Sequence, residues 1–143
     1  MEIDGRCLCG LFTYEATINP DRVVICHCTD CQISSGSAFR LLTIVRKDDL
    51  RILSGQLKTY IKTAESGSKR AQAFCPECGT MIYGADVMDP KTFSIRLGTA
   101  RQVKELTPSV QIWCRSALGW LAGIETKTRA DQQPPAVSLT GTQ

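Results

Sequence analysis

Three short clusters of cysteine hold most of the chemistry this 143-residue sequence can offer. They are Cys7-Leu8-Cys9-Gly10, Cys26-His27-Cys28-Thr29-Asp30-Cys31 and Cys75-Pro76-Glu77-Cys78-Gly79, and only Cys114 lies outside them. A tetrahedral zinc takes four protein ligands when its role is structural and keeps a position open when its role is catalytic. Seven clustered thiolates therefore divide into a closed four-cysteine site and a three-cysteine site with a vacant position. The expectation is two zinc ions per chain.

The two pairs that end in Cys-Gly complete one tetrahedron, Cys7 and Cys9 with Cys75 and Cys78. Gly79 can take the positive φ that closes such a turn. A site of this kind clips distant parts of the chain, and its binding energy becomes folding energy. Four cysteines also suit iron, which would colour the protein. The spacing of Cys26, Cys28 and Cys31 lets one loop present three sulfurs to a second ion. Zinc held by three thiolates carries a net charge of −1 and is a modest Lewis acid. It suits a soft, thiol-containing substrate better than amide hydrolysis, and it favours the ionised, nucleophilic thiol at neutral pH.

Candidate helpers surround this second cluster. Asp30 stands as either a proton acceptor or a turn cap. The run Ser34-Ser35-Gly36-Ser37 offers hydroxyls and N–H groups, so Ser35, Gly36 and Ser37 are candidate substrate-binding residues, with plain turn chemistry the alternative. His27, the only histidine, points away from its neighbours' metal in an extended chain, so a supporting role is expected rather than ligation. Cys114 reads as a small buried hydrophobe on an alternating strand. Nucleobase deaminase chemistry is excluded, because no H-x-E and no P-C-x-x-C occurs.

The elements that must position these residues read as short strands. Residues 11–16, 22–25, 39–45, 57–61, 80–83, 92–97 and 110–114 are rich in β-formers or alternate apolar with polar. Phe93, Ile95 and Leu97 share one face of their strand. Asn19-Pro20, Ser54-Gly55, Ser66-Gly67, Asp89-Pro90 and Thr107-Pro108 separate the runs. This spacing predicts an all-β fold, a small single domain of packed antiparallel sheets with zinc knuckles. No long amphipathic helix appears, and residues 115–120 suit one helical turn. The domain is expected over 1–124, with a polar tail at 125–143, extended or disordered.

A net charge of +3 and a pI near 8.5 are mildly basic, without the basic stripe and interleaved aromatics of a nucleic-acid surface. No apolar leader and no membrane-length segment is visible. Crowded C-x-C-x-x-C thiols suit a shared ion rather than separate disulfides, which points to a reducing, cytoplasmic setting.

Taken in order, Arg6-Cys7-Leu8-Cys9-Gly10, Cys26-His27-Cys28-Thr29-Asp30-Cys31 with Ser35-Gly36-Ser37, and Phe74-Cys75-Pro76-Glu77-Cys78-Gly79-Thr80 resemble the glutathione-dependent formaldehyde-activating enzyme and centromere-protein-V family. The resemblance spans Gly5 to about Trp120, and residues 112–116 match the family's late aromatic strand. It implies packed sheets similar to Rab-accessory zinc proteins. It implies a structural zinc on Cys7, Cys9, Cys75 and Cys78, and a labile one on Cys26, Cys28 and Cys31. The implied activity is a carbon–sulfur lyase reaction that makes or cleaves S-hydroxymethylglutathione, with glutathione and formaldehyde as partners. The two carboxylates of that tripeptide would welcome Arg40, Arg46 or Arg96 near the pocket. The competing reading is a non-enzymatic zinc module that binds protein or nucleic acid.

Overall fold

The computed structural model describes residues 1–133. Ten strands form two sheets, in the order β1 (Glu2–Arg6), β2 (Thr13–Thr17), β3 (Val24–Cys26), β4 (Arg40–Arg46), β5 (Leu50–Ser54), β6 (Lys58–Thr63), β7 (Lys69–Phe74), β8 (Met81–Asp86), β9 (Thr92–Arg96) and β10 (Val110–Ile112). One helix, α1 (Thr29–Ser35), separates β3 from β4. The small sheet runs β1-β2-β5 and the large one β10-β3-β4-β9-β8-β7-β6. Every pairing is antiparallel except β10 with β3. The all-β expectation holds, and the parallel pair qualifies its antiparallel detail. It arises because the chain crosses the molecule between β9 and β10 instead of turning back as a hairpin.

Alternation sorts the residues of the large sheet onto two faces. Thr43, Val45, Ile95 and Ala85 lie on one face and join Ile3, Phe12, Tyr14 and Leu97 from elsewhere in the chain, all buried. The opposite face mixes buried polar side chains with a small apolar cluster of Cys26, Cys31 and Leu42. Register places Cys26 across from Arg40, Leu42 across from Arg96, Ser94 across from Gly84, and Gly84 across from Gln72. The alternation of Phe93, Ile95 and Leu97 thus assigns Ser94 and Arg96 to the other side, where the second cysteine cluster opens.

Two expectations are corrected. The strand drawn over 110–114 ends at Ile112, because Trp113 turns into the left-handed region at φ 57°. Cys114 therefore sits exposed in a short 3-10 turn (Cys114–Ser116), not buried on a strand. The loop expected around the second cluster is partly helical, since α1 begins just after Cys28. Residues 127–133 are exposed and in neither helix nor strand. The rest of the expected tail, 134–143, lies outside the described residues.

Candidate metal centres and the adjoining cleft

The four-cysteine cluster is built by two turns on facing hairpins. Gly10 donates its N–H to the Cys7 carbonyl at 3.1 Å, and Gly79 donates to the Cys75 carbonyl at 2.9 Å. Gly79 sits at φ 73°, the left-handed conformation that favours glycine. The Sγ atoms of Cys7, Cys9, Cys75 and Cys78 all lie within 4.8 Å of one another. Cys7 and Cys9 are 3.5 Å apart, and Cys9 and Cys75 are 3.8 Å apart. A zinc with bonds of 2.3 Å at a tetrahedron's centre requires sulfur–sulfur edges of about 3.8 Å. The donor set fits that ion in both chemistry and size.

Hydrogen bonds already point at these sulfurs. The Phe12 N–H donates to Cys7 Sγ at 3.3 Å. Thr80 Oγ1 accepts from the Leu8 N–H at 3.0 Å and lies 3.2 Å from Cys78 Sγ. That hydroxyl, with the backbone N–H groups of Cys9 and Thr80, holds the Cys78 thiol down at about 5. Cys9 moves the other way, to about 12. The Leu11 backbone favours its thiolate, but burial and its neighbours Cys7, Cys78 and Cys75 outweigh that. Four crowded sulfurs split into thiolates and thiols because like charges resist sharing so small a volume. A divalent cation removes that conflict.

The second cluster brings Cys26, Cys28 and Cys31 within the same 4.8 Å limit. Cys26 ends β3, and Cys28 caps α1, its Sγ accepting the Cys31 N–H at 3.3 Å. Cys31 shares a proton with Cys26, which pushes Cys31 up and Cys26 down. No fourth histidine, cysteine or carboxylate joins the three sulfurs among the described residues. His27 is buried with its Nε2 2.8 Å from Gln111 Oε1, and its ring stands edge-on to Phe39, so it supports the loop rather than the cluster.

The three sulfurs open into a cleft of about 580 Å³ on the face of the large sheet opposite the core. A neighbouring hollow of about 610 Å³ shares Asp30, Arg40, Lys62, Thr63 and Gln72 with it. Asp30 lines both and accepts from Lys62 Nζ at 2.7 Å. Ser35, Gly36 and Ser37 line neither. The Ser35 hydroxyl donates to the Cys31 carbonyl at 2.6 Å, Gly36 caps α1, and the Ser37 N–H donates to the Gln32 carbonyl at 3.3 Å. From that run, Ser34 is the residue that reaches the hollow.

Sequence reasoning left the placement of the basic residues open, and the structure separates them. Arg46 is exposed and pairs with Asp49, away from the cleft. Arg40 and Arg96 line the cleft, 6% and 7% exposed. Burial and the charge of Arg40 lower Arg96 to about 9, which leaves it cationic at neutral pH. The alternation of β9 carried a local signal for the side Arg96 takes, whereas the place of Arg40 opposite Cys26 is set by strand pairing and had no local signal. Gln72, which neither composition nor motif marks, joins the two.

A solved structure of a Rhodobacter sphaeroides protein has the same fold, with a TM-score of 0.59 and 19% identity over 76% of this chain and 98% of that one. An uncharacterised lyase of Schizosaccharomyces pombe is 26% identical over 111 residues, covering 78% of this chain and 77% of the relative. The family model described as glutathione-dependent formaldehyde-activating enzyme matches residues 2–116, a span that takes in both cysteine clusters and the cleft between β3 and β9. By that match the chain belongs to the glutathione-dependent formaldehyde-activating enzyme family.

Proposed function

We propose that this protein is a zinc-dependent carbon–sulfur lyase acting on small thiol–aldehyde adducts of the S-hydroxymethylglutathione type. In this reading the β domain of residues 1–124 holds a structural zinc on Cys7, Cys9, Cys75 and Cys78. It holds a second on Cys26, Cys28 and Cys31. The observation that carries the reading is the second cluster: three convergent sulfurs, no fourth protein ligand among the described residues, and a cleft that leads to them. Family membership and the lyase name of the yeast relative agree with it.

Zinc at this cluster would supply the Lewis acidity that keeps a bound thiol ionised at neutral pH. The chain's own groups do the rest. The cleft holds the thiol sulfur beside the aldehyde, so that a sulfur lone pair forms the carbon–sulfur bond as the carbonyl π pair moves onto oxygen, which takes up the proton the thiol released. In reverse, the adduct hydroxyl loses that proton and the sulfur leaves with the bonding pair. Asp30 Oδ2, fixed by Lys62 Nζ, is the proposed group that takes the proton and returns it. Ser34, rather than Ser35, Gly36 or Ser37, is the proposed hydroxyl at the substrate.

A Cys28→Ser protein tests the assignment. It is expected to stay folded, to lose one of two zincs by elemental analysis, and to lose accelerated adduct exchange by NMR. Exchange at the wild-type rate with one zinc missing would refute the proposal. The rival reading, a basic module for nucleic acid, gains little from the cleft. Three of its five cations, Lys62, Arg70 and Arg115, are already paired with Asp30, Asp86 and Glu65.

A further inference from the structure

The hollow beside the cleft has two walls of different chemistry. The wall it shares with the cleft is polar and includes Asp30, Lys62 and Gln72. The wall it keeps to itself is made by Ile33, Tyr60, Phe74 and Met81, interrupted only by Ser34 and Gly79. Ile33 is 80% exposed and Tyr60 65%, so both present apolar surface to solvent. Single exposed apolar residues are ordinary, but four that converge on one concavity beside polar groups mark a binding surface.

Helix α1 and strands β6, β7 and β8 each contribute to the apolar wall. Asp30, Ile33 and Ser34 are three and four residues apart, so α1 turns them to one side. Tyr60 on β6 lies across from Gln72 on β7. At Phe74 the register of β7 with β8 shifts, so that Phe74 pairs with Met81 rather than Ile82. Ile82 is thereby fully buried in the core, and Met81 lines the hollow. Bulges re-aim side chains in this way beside active sites.

Size, polarity and continuity identify the occupant. A volume of about 610 Å³ falls in the range that takes a sizeable organic molecule, roughly 300–1,000 Å³. Formaldehyde has one carbon and no substituent to place there. Asp30, the proposed proton acceptor, lines both spaces. An adduct carbon beside it has its sulfur in the cleft, its hydroxyl on Asp30 and its remaining substituent towards the hollow. We propose that the hollow takes the apolar chain of the aldehyde, so that the adducts handled here come from alkyl or aryl aldehydes of several carbons in preference to formaldehyde. The bond made and broken is the same carbon–sulfur bond. The inference rests on the reading that a thiol adduct docks at the three-cysteine cluster, but it concerns which aldehyde is chosen rather than whether the reaction runs.

Stable thioethers test that choice without turnover. S-pentylglutathione and S-methylglutathione carry the carbon chains of pentanal and of formaldehyde. In calorimetric titration of the zinc-loaded protein, the pentyl compound is expected to bind at least about tenfold more tightly, the scale of two buried methylenes. Ile33→Ser on α1 and Tyr60→Ser on β6 are each expected to bring the ratio towards one. Both side chains are exposed, so neither variant removes core packing.

A wild-type ratio near one would overturn the proposal, as would a ratio that either variant leaves unchanged, or failure of both compounds to bind. Adduct exchange, followed by NMR with pentanal and with formaldehyde, separates this result from the lyase reading. A ratio that falls in the variants, without exchange of either adduct, keeps the hollow and removes the lyase. Exchange of the formaldehyde adduct without a ratio does the reverse.

Discussion

Thr80 shows how one side chain sets the quality of a metal site without being a ligand. Its hydroxyl accepts from the Leu8 N–H and donates towards Cys78 Sγ, so it ties the first knuckle to the second. Thr80→Val keeps the shape and removes both bonds. The expected outcome is a loss of about 0.5–1.5 kcal/mol in urea unfolding, the net scale of a hydrogen bond whose other partner, the exposed Leu8 N–H, can turn to water. Faster zinc transfer from the four-cysteine site to a chromogenic chelator should accompany it. An unchanged transfer rate would mean that the sulfurs alone decide the site. At this scale the sequence was most legible for cysteines, because a thiolate ligand is defined by residue type and spacing. The buried arginines were harder to read. Alternation in β9 gives the side of Arg96, but the burial of both depends on the pairing of β4 with β3 and β9, which no local spacing reports.

Between single residues and the whole chain, the second cluster depends on three elements that meet at Gln32. This side chain, on α1, donates to the His27 carbonyl at 2.9 Å and to the Ser116 carbonyl at 2.9 Å. It therefore joins the helix to the end of β3 and to the turn beyond β10. Gln32→Leu leaves both carbonyls unmet, and a loss of about 1–3 kcal/mol is expected. The sharper expectation is selective weakening of zinc at Cys26, Cys28 and Cys31, measured by stepwise chelator competition, with the four-cysteine site unaffected. Equal weakening of both sites would refute it. The sequence also explains which elements could be read. The runs with apolar alternation became β6, β9 and β10 within a few residues, and the apolar run at 39–45 became β4. β7 (Lys-Arg-Ala-Gln-Ala-Phe) has few β-formers and is a strand because β6 and β8 flank it. β5 is exposed along most of its length and borders only β2, so no buried face patterns its sequence. Helix α1, at seven residues, is too short to show a helical period.

At the level of the molecule the two cysteine clusters differ in what they hold together. Cys7 and Cys9 follow β1, while Cys75 and Cys78 lie between β7 and β8, so the closed site joins the small sheet to the large one across a long stretch of chain. Cys26, Cys28 and Cys31 lie within six consecutive residues and close no such loop. A zinc bound at the first site would therefore constrain the unfolded chain strongly, and one at the second hardly at all. Three protein sulfurs should also hold the ion less tightly than four. Titration with a chelator is thus expected to proceed in two steps. The first zinc should leave with the far-ultraviolet circular dichroism unchanged and adduct exchange abolished. The second should leave only as the β signal collapses. Loss of both ions in one cooperative step would show that the cleft is part of the structural framework. Retention of the β signal after the second ion has gone would show that the hydrophobic core around Ile3, Phe12, Tyr14 and Ile95 suffices to join the sheets.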